Sequence, residues 1–337
     1  MRIGRVIVSL LGLLLTGVAA ALAQTGENAA VRVVAPARIA MGSATLPAYL
    51  SADWTRPLPA VTRAVIAVHG AARNADVYLR SVEAARDAAG VAAETVLLIV
   101  PQFLTQADIG AHGLPADAVR WTPEAWKDGR PALGPAPLSS FEALDAILGR
   151  LADKAVFPGL RRVVVAGHSA GAQLVQRYAV AGKGETVLTA RGVRVRYAVA
   201  NPSSYLWFGD LRLAAPDTRA CPGLDRWKYG LTEPPPYVGA VDDLEMRYIN
   251  RDVVYLLGEA DNDPNHPSLD RSCAAMAQGT TRYARGMQYM FHLELRHPNL
   301  VRHALFSVPG VAHDNAAMFA SVCGMAALFD SAGCVGF

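Results

Sequence analysis

Apolar residues in this chain gather in short, unbroken runs. Residues 62–69 (TRAVIAVH), 95–100, 163–165, 193–200, 252–258 (DVVYLLG) and 303–308 are continuously or nearly continuously apolar. An alternating run buries one face of a strand, whereas a continuous run buries both, as in a parallel sheet covered on each side by helices. Segments of helical period lie between the runs. One runs from an N-cap at Asn74 to about Ala89, one over 139–155 opens with Ser139, Ser140 and Glu142, and one starts directly after Ser169. Short β segments at 31–34 and 45–51 open the sheet. Residues 265 to about 289 are polar and partly helical, and 314–329 reads as a closing helix. Two segments, 102–137 and 203–250, follow neither period. Irregular segments of that length in a compact domain are usually functional. They carry Trp121, Trp126, Tyr205, Trp207 and Phe208, which either line a substrate cleft or form satellite core beneath the loops. Strands alternating with helices predict an α/β fold: a mostly parallel central sheet, helices on both faces, and loop insertions near its C-terminal edge. No break in composition divides residues 24–337, so a single domain is expected.

One junction is sharper than the others. Val163-Val164-Val165 runs into Gly167-His168-Ser169-Ala170-Gly171, and a helical pattern begins at once. A strand, G-x-S-x-G and then a helix is the context of a nucleophile elbow. The turn holds its serine in a strained backbone conformation, and glycines two before and two after remove side chains that would clash. The Ser169 hydroxyl is thereby lifted onto the C-terminal edge of the sheet, at the positive end of the following helix.

A serine hydroxyl needs a base, and the base needs an orienting carboxylate. Asp261 follows the run VVYLLG and His313 follows HALFSV, so both fall just past strand C-terminal ends, on the edge that carries Ser169. Asp263 is the alternative acid, and a solvated loop carboxylate or helix cap is the plain reading of either. His168 reads as packing and His69 as a brace for the loop after it. His266, His292, His297 and His303 fall in loops or at element starts. The acidic run DNDPNHPSLD lacks the glycine and terminal glutamate of a calcium loop, so no metal is expected there.

At 337 residues, 52% hydrophobic and 18% charged, the chain can build a sizeable core. The formal net charge is +3, and Arg2 and Arg5 supply two of those charges. The rest gives no case for nucleic acid or an anionic membrane surface as partner. The two arginines open what reads as a secretory signal peptide over residues 1–23, with an apolar stretch at 6–18 and an Ala21-Leu22-Ala23 cleavage site. The apolar stretch is short for a membrane span and no later one qualifies, so the mature chain is expected secreted or periplasmic, without a membrane anchor. Four cysteines in an exported chain favour disulfides, and of the three pairings Cys221–Cys273 with Cys323–Cys334 is expected. Their spacing fits no zinc site.

The chain resembles a secreted α/β-hydrolase of the serine esterase type, through His69-Gly70, GHSAG at 167–171, GEAD at 258–261 and GVAHD at 310–314. More loosely it resembles feruloyl-esterase and polyester-depolymerase relatives. The resemblance spans most of the mature chain and implies the α/β-hydrolase fold, no cofactor, and acyl transfer through an acyl-enzyme. It makes Ser169 the nucleophile, His313 the general base and then acid, and Asp261 the residue that orients His313. It assigns the oxyanion hole to the backbone N–H groups of Ala170 and Ala71, although His69-Gly70-Ala71-Ala72 departs from the HGGG run of lipases. The expected substrate is a small-molecule or polymeric carboxylic ester. An amidase or peptidase using the same residues, and a hydrolase-like binding protein without turnover, are the alternatives.

Overall fold

The computed structural model of the chain describes residues 28–212 and 219–335. The signal peptide expected over residues 1–23 lies outside them. The described strands form one sheet: β1 (Ala37–Met41), β2 (Ala44–Leu50), β3 (Arg63–Val68), β4 (Val96–Pro101), β5 (Arg162–His168), β6 (Arg194–Ala200), β7 (Asp252–Gly258) and β8 (Ala304–Val308). Their order is β1-β2-β4-β3-β5-β6-β7-β8. β2 runs antiparallel to β1 and β4, and every pairing from β4 through β8 is parallel.

The continuous apolar runs have the expected cause. Along β3, Ala64, Ile66 and Val68 point into one core and Val65 and Ala67 into the other, and β5 and β7 split in the same way. Helix Ala75–Ala88 and the two C-terminal helices cover one face, while Ser140–Leu151 and Ala170–Ala181 cover the opposite one. Burying one Val, Ile, Leu or Phe side chain stabilises by about 1.5–3 kcal/mol, so a run buried on both faces contributes with every residue. Near the N-terminal ends of the central strands β3, β5 and β6, the Asp330 carboxylate that follows the last helix pairs with Arg63, Arg162 and Arg196.

Several elements differ from the sequence reading. Residues 31–34 are not a strand, because the backbone there bonds a side chain: Gln102 accepts from Ala35 N–H and donates to the Val33 carbonyl. The first strand is instead β1, joined to β2 through Gly42 at φ +66°. Asn74 occupies the N-cap position of helix Ala75–Ala88, but its side chain makes no capping bond. Segment 102–137 contains helix Gln106–His112, opened by a Thr105/Asp108 capping box. That helix is too short and polar to show an apolar stripe. Helix Arg282–Arg296 continues past Tyr289. The closing helix is two, Asn315–Ala320 and Val322–Phe329. Ser321 between them is extended, at φ −64° and ψ 158°, and caps the second by accepting from Gly324 N–H. Both expected disulfides are present, with Cα–Cα separations of 5.7 Å for Cys221–Cys273 and 4.8 Å for Cys323–Cys334.

Candidate active site

Ser169 sits between β5 and helix Ala170–Ala181 at φ +59° and ψ −122°, a conformation that non-glycine residues rarely adopt. Two close approaches enforce the turn. A Cβ on Gly167 would lie 2.4 Å from the Gly171 backbone, and one on Gly171 would lie 2.2 Å from the Val68 carbonyl oxygen. Neither neighbour is the end of a flexible side chain, so the backbone itself would have to move. Gly171→Ala is expected to cost at least about 1–3 kcal/mol. A urea midpoint equal to that of the wild type would refute the enforced turn.

The other side chains arrive from neighbouring strand ends. Past β7, Asp261 N–H bonds the Gly258 carbonyl, closing a tight turn, and Ala260 N–H bonds the Val311 carbonyl in the loop past β8. Asn201, at the end of β6, ties both: its Oδ1 accepts from Gly258 N–H at 2.8 Å and its amide donates to the Ala312 carbonyl at 3.2 Å. The two loops are thus fixed to each other before their side chains meet. His313 Nδ1 then lies 2.7 Å from Asp261 Oδ2, and His313 Nε2 lies 2.8 Å from Ser169 Oγ. A carboxylate only accepts, so Nδ1 carries the proton and Nε2 accepts from the serine hydroxyl. Asp263 is exposed and caps a turn at Asn265, so of the two acids Asp261 is the one brought to His313.

The second oxygen of Asp261 accepts from Arg282 Nη1 at 3.1 Å, and both side chains are buried. Burial would raise the Asp261 carboxyl, but the His313 hydrogen bond and the Arg282 charge outweigh it and hold the group below its ordinary value. Arg282 also donates to Ser203 Oγ and Ser268 Oγ. His266 packs its ring 5.1 Å from that of His313. Nothing local in the sequence marks Arg282, Ser268 or Asn201 as neighbours of this site. They come from separate loops and one helix start, and only the sheet order brings them together.

His69 braces the loop that follows it. Its Nε2 is 2.9 Å from Phe103 N–H, which must donate, so Nδ1 carries the proton and donates to the Gly70 carbonyl at 2.9 Å. Burial pushes its pKa down to about 4 and keeps the ring neutral. Arg73 N–H bonds the same carbonyl at 3.0 Å. With that carbonyl held, the Ala71 N–H on the far side of the trans peptide turns away from the His69 ring. Among the described residues, neither Ala71 N–H nor Ala170 N–H donates to a protein acceptor. Both residues flank Ser169, and Ala71 lines a cavity of about 290 Å³ with Ser169, His168, His313 and Asn315.

The remaining histidines lie elsewhere or serve packing. His168 packs against His313 with ring centres 4.6 Å apart and the planes tilted by 39°, and burial pushes its pKa well below the ordinary value. His292 and His303 bond the carbonyls of Phe208 and Tyr248, and His297 pairs with Glu245. Trp121, Trp126, Tyr205, Trp207 and Phe208 are buried in the main core, so they neither form a satellite cluster nor line the cavity at Ser169. No described helix is long and apolar enough to cross a membrane.

No protein-family model and no curated protein sequence matches the chain. Solved structures do. Poly(aspartic acid) hydrolase-1 from Sphingomonas sp. KT-1 superposes with a TM-score of 0.60 at 21% identity, covering 86% of this chain and 96% of that one. LpqC, a poly(3-hydroxybutyrate) depolymerase from Bordetella parapertussis, superposes with a TM-score of 0.59 at 22% identity, covering 86% and 84%. With the eight-strand order β1-β2-β4-β3-β5-β6-β7-β8, these likenesses show that the chain has the α/β-hydrolase fold.

Proposed function

We propose that this chain is an exported serine hydrolase of carboxylic esters, with residues 24–337 as its catalytic domain. Ser169, His313 and Asp261 are its catalytic residues. The observation that carries this reading is the continuous hydrogen-bond chain from Ser169 Oγ through His313 to Asp261, at 2.8 and 2.7 Å, beside two backbone N–H groups that have no acceptor among the described residues. Ser169 Oγ attacks the ester carbonyl carbon while His313 Nε2 takes its proton. The oxygen that becomes negative is held by the N–H groups of Ala170 and Ala71, each such donor lowering the barrier by about 3–4 kcal/mol. Collapse breaks the bond to the alcohol oxygen, which receives the proton from His313. Water, deprotonated by the same ring, then attacks the acyl-enzyme and releases the acid and Ser169. Asp261 keeps the Nδ1 proton in place and stabilises the imidazolium in both halves. Two disulfides suit the oxidising compartment that export would reach.

The test is hydrolysis of p-nitrophenyl esters from acetate to long acyl chains, together with labelling by a fluorophosphonate and mapping of the modified peptide. Turnover of one or more esters with the label on Ser169 supports the proposal. A folded protein that neither turns over an ester nor takes the label refutes it. Matched p-nitroanilides run in parallel decide the bond type, because equal turnover of the anilides would replace the ester reading with an amidase one.

A further inference from the structure

A second cavity, of about 340 Å³, adjoins the one at Ser169, and Ser268 lines both. Its wall includes Gln173, which is one helical turn past Ser169 and donates its backbone N–H to the Ser169 carbonyl at 3.1 Å. Gln173 is only 6% exposed. Its Oε1 accepts from Arg177 Nη1 and Ser204 Oγ. Arginine can only donate, so the orientation of the carboxamide is settled, and its NH2 group is the end left over. Among the described residues no protein acceptor meets that NH2 group. Gln173 is held in place and lines the cavity, so an acceptor in the cavity can take up this donor.

The rest of the wall specifies which acceptor. Lys127 and Lys228 both reach Glu124, at 2.8 and 2.6 Å. The exposures are unequal: the lysine side chains are 5% and 15% exposed, whereas that of Glu124 is 53% exposed. The cations are built in, while the carboxylate that bridges them is half exposed. The other acid, Asp270, is committed to Tyr229 and the Ser272 backbone and stands 3.8 Å from Lys228. An incoming carboxylate that takes the place of Glu124 would leave the charge of the cavity unchanged, and it would give the Gln173 amide its missing acceptor.

We propose that this cavity is a carboxylate subsite, so that the preferred esters carry a second, free carboxylate held by Lys127, Lys228 and the Gln173 amide. Glu124 occupies the position of that carboxylate when the site is empty. This rests on the ester-hydrolase reading above.

Two matched pairs of probes test it, one for each limb of the ester. On the acyl side, mono-(4-nitrophenyl) adipate is compared with 4-nitrophenyl hexanoate. On the alcohol side, 3-(4-acetoxyphenyl)propanoate is compared with 4-propylphenyl acetate. In at least one pair the wild type is expected to favour the carboxylate-bearing ester in kcat/KM by on the order of tenfold or more, the range of a charge-assisted hydrogen bond. That ratio should shrink with added salt. It should also collapse toward one in Lys228→Met and fall in Gln173→Leu. It should hold in Lys228→Arg and rise in Glu124→Gln, where the competing carboxylate is gone. Taking the ratio within each variant cancels a general loss of activity. If Lys228→Met does not fold, the wild-type ratio and its salt dependence still decide. Hydrolysis of the neutral esters with no preference in either pair overturns the subsite and leaves the hydrolase reading standing. A preference that the substitutions do not alter overturns it as well. Failure on all four esters, with no fluorophosphonate label on Ser169, removes the hydrolase reading itself.

Discussion

Asp261→Asn is expected to lower kcat for ester hydrolysis by about 10⁴, and Ser169→Ala and His313→Ala by about as much or up to roughly 10⁶. The size of the Asp261→Asn effect follows from its second partner. Arg282 donates to Asp261 Oδ1 and can do nothing else, so the carboxamide oxygen of the variant must face Arg282. The amide nitrogen then faces His313 Nδ1, now 2.7 Å from an acceptor oxygen. That nitrogen donates, so His313 must accept at Nδ1 and carry its proton on Nε2. In that tautomer Nε2 cannot take the proton of Ser169. The variant should therefore fold normally and bind substrate, with the loss in kcat rather than KM. Asp263→Asn, in an exposed turn, is expected to stay within about twofold of the wild type. Steady-state kinetics on a p-nitrophenyl ester checks all four. An active Asp261→Asn enzyme together with an inactive Asp263→Asn one would reverse the assignment.

The second large effect concerns stability. Arg73 and Asp108 form a bidentate ion pair, at 2.8 and 3.2 Å, and neither side chain is exposed. Arg73→Met is expected to destabilise the protein by about 3–5 kcal/mol, because it leaves Asp108 buried with its charge uncompensated. Burial would raise the Asp108 carboxyl, but Arg73 and the backbone N–H groups of Thr105 and Val31 hold it below the ordinary value. A carboxylate depressed in the folded state contributes stability above its unfolded pKa of about 4 and loses it as pH falls through the lower folded value. The stability gap between wild type and Asp108→Asn should therefore be full at pH 7 and narrow below pH ~4. Urea unfolding at the two pH values measures it, and a gap that widens in acid would contradict the ion pair. Arg73 also donates to the Ala71 carbonyl at 3.2 Å, in the loop that carries the Ala71 N–H. Loss of this pair is thus expected to lower kcat as well as stability.

Much of the fold is legible in the chain because its signals are local. A run such as DVVYLLG is apolar at consecutive positions only if both faces of the strand are covered, and β7 has both faces covered. The elbow is equally local. The clashes that exclude side chains at Gly167 and Gly171 involve the elbow and the end of the adjacent strand β3, so GHSAG after a valine run already implies the turn. Positions just past strand ends marked Asp261 and His313 for the same reason, since a parallel sheet delivers all its C-terminal ends to one edge.

What the sequence could not decide depends on partners far away in the chain. Which of Asp261 and Asp263 meets His313 depends on a loop-to-loop clamp through Asn201, whose amide spans strands β6, β7 and the loop after β8. Arg282 lies 21 residues beyond Asp261 at the start of a helix, and Asp108 lies 35 residues beyond Arg73. Neither spacing has a period that a local pattern can reveal. The irregular segments were opaque for a related reason. Their aromatics are core residues and their lysines and glutamate form a cavity wall, yet loop composition reads alike for both. Periodicity reports which face of an element is buried. Which side chains meet across a cavity is set by strand order and loop closure, and only the tertiary structure carries that.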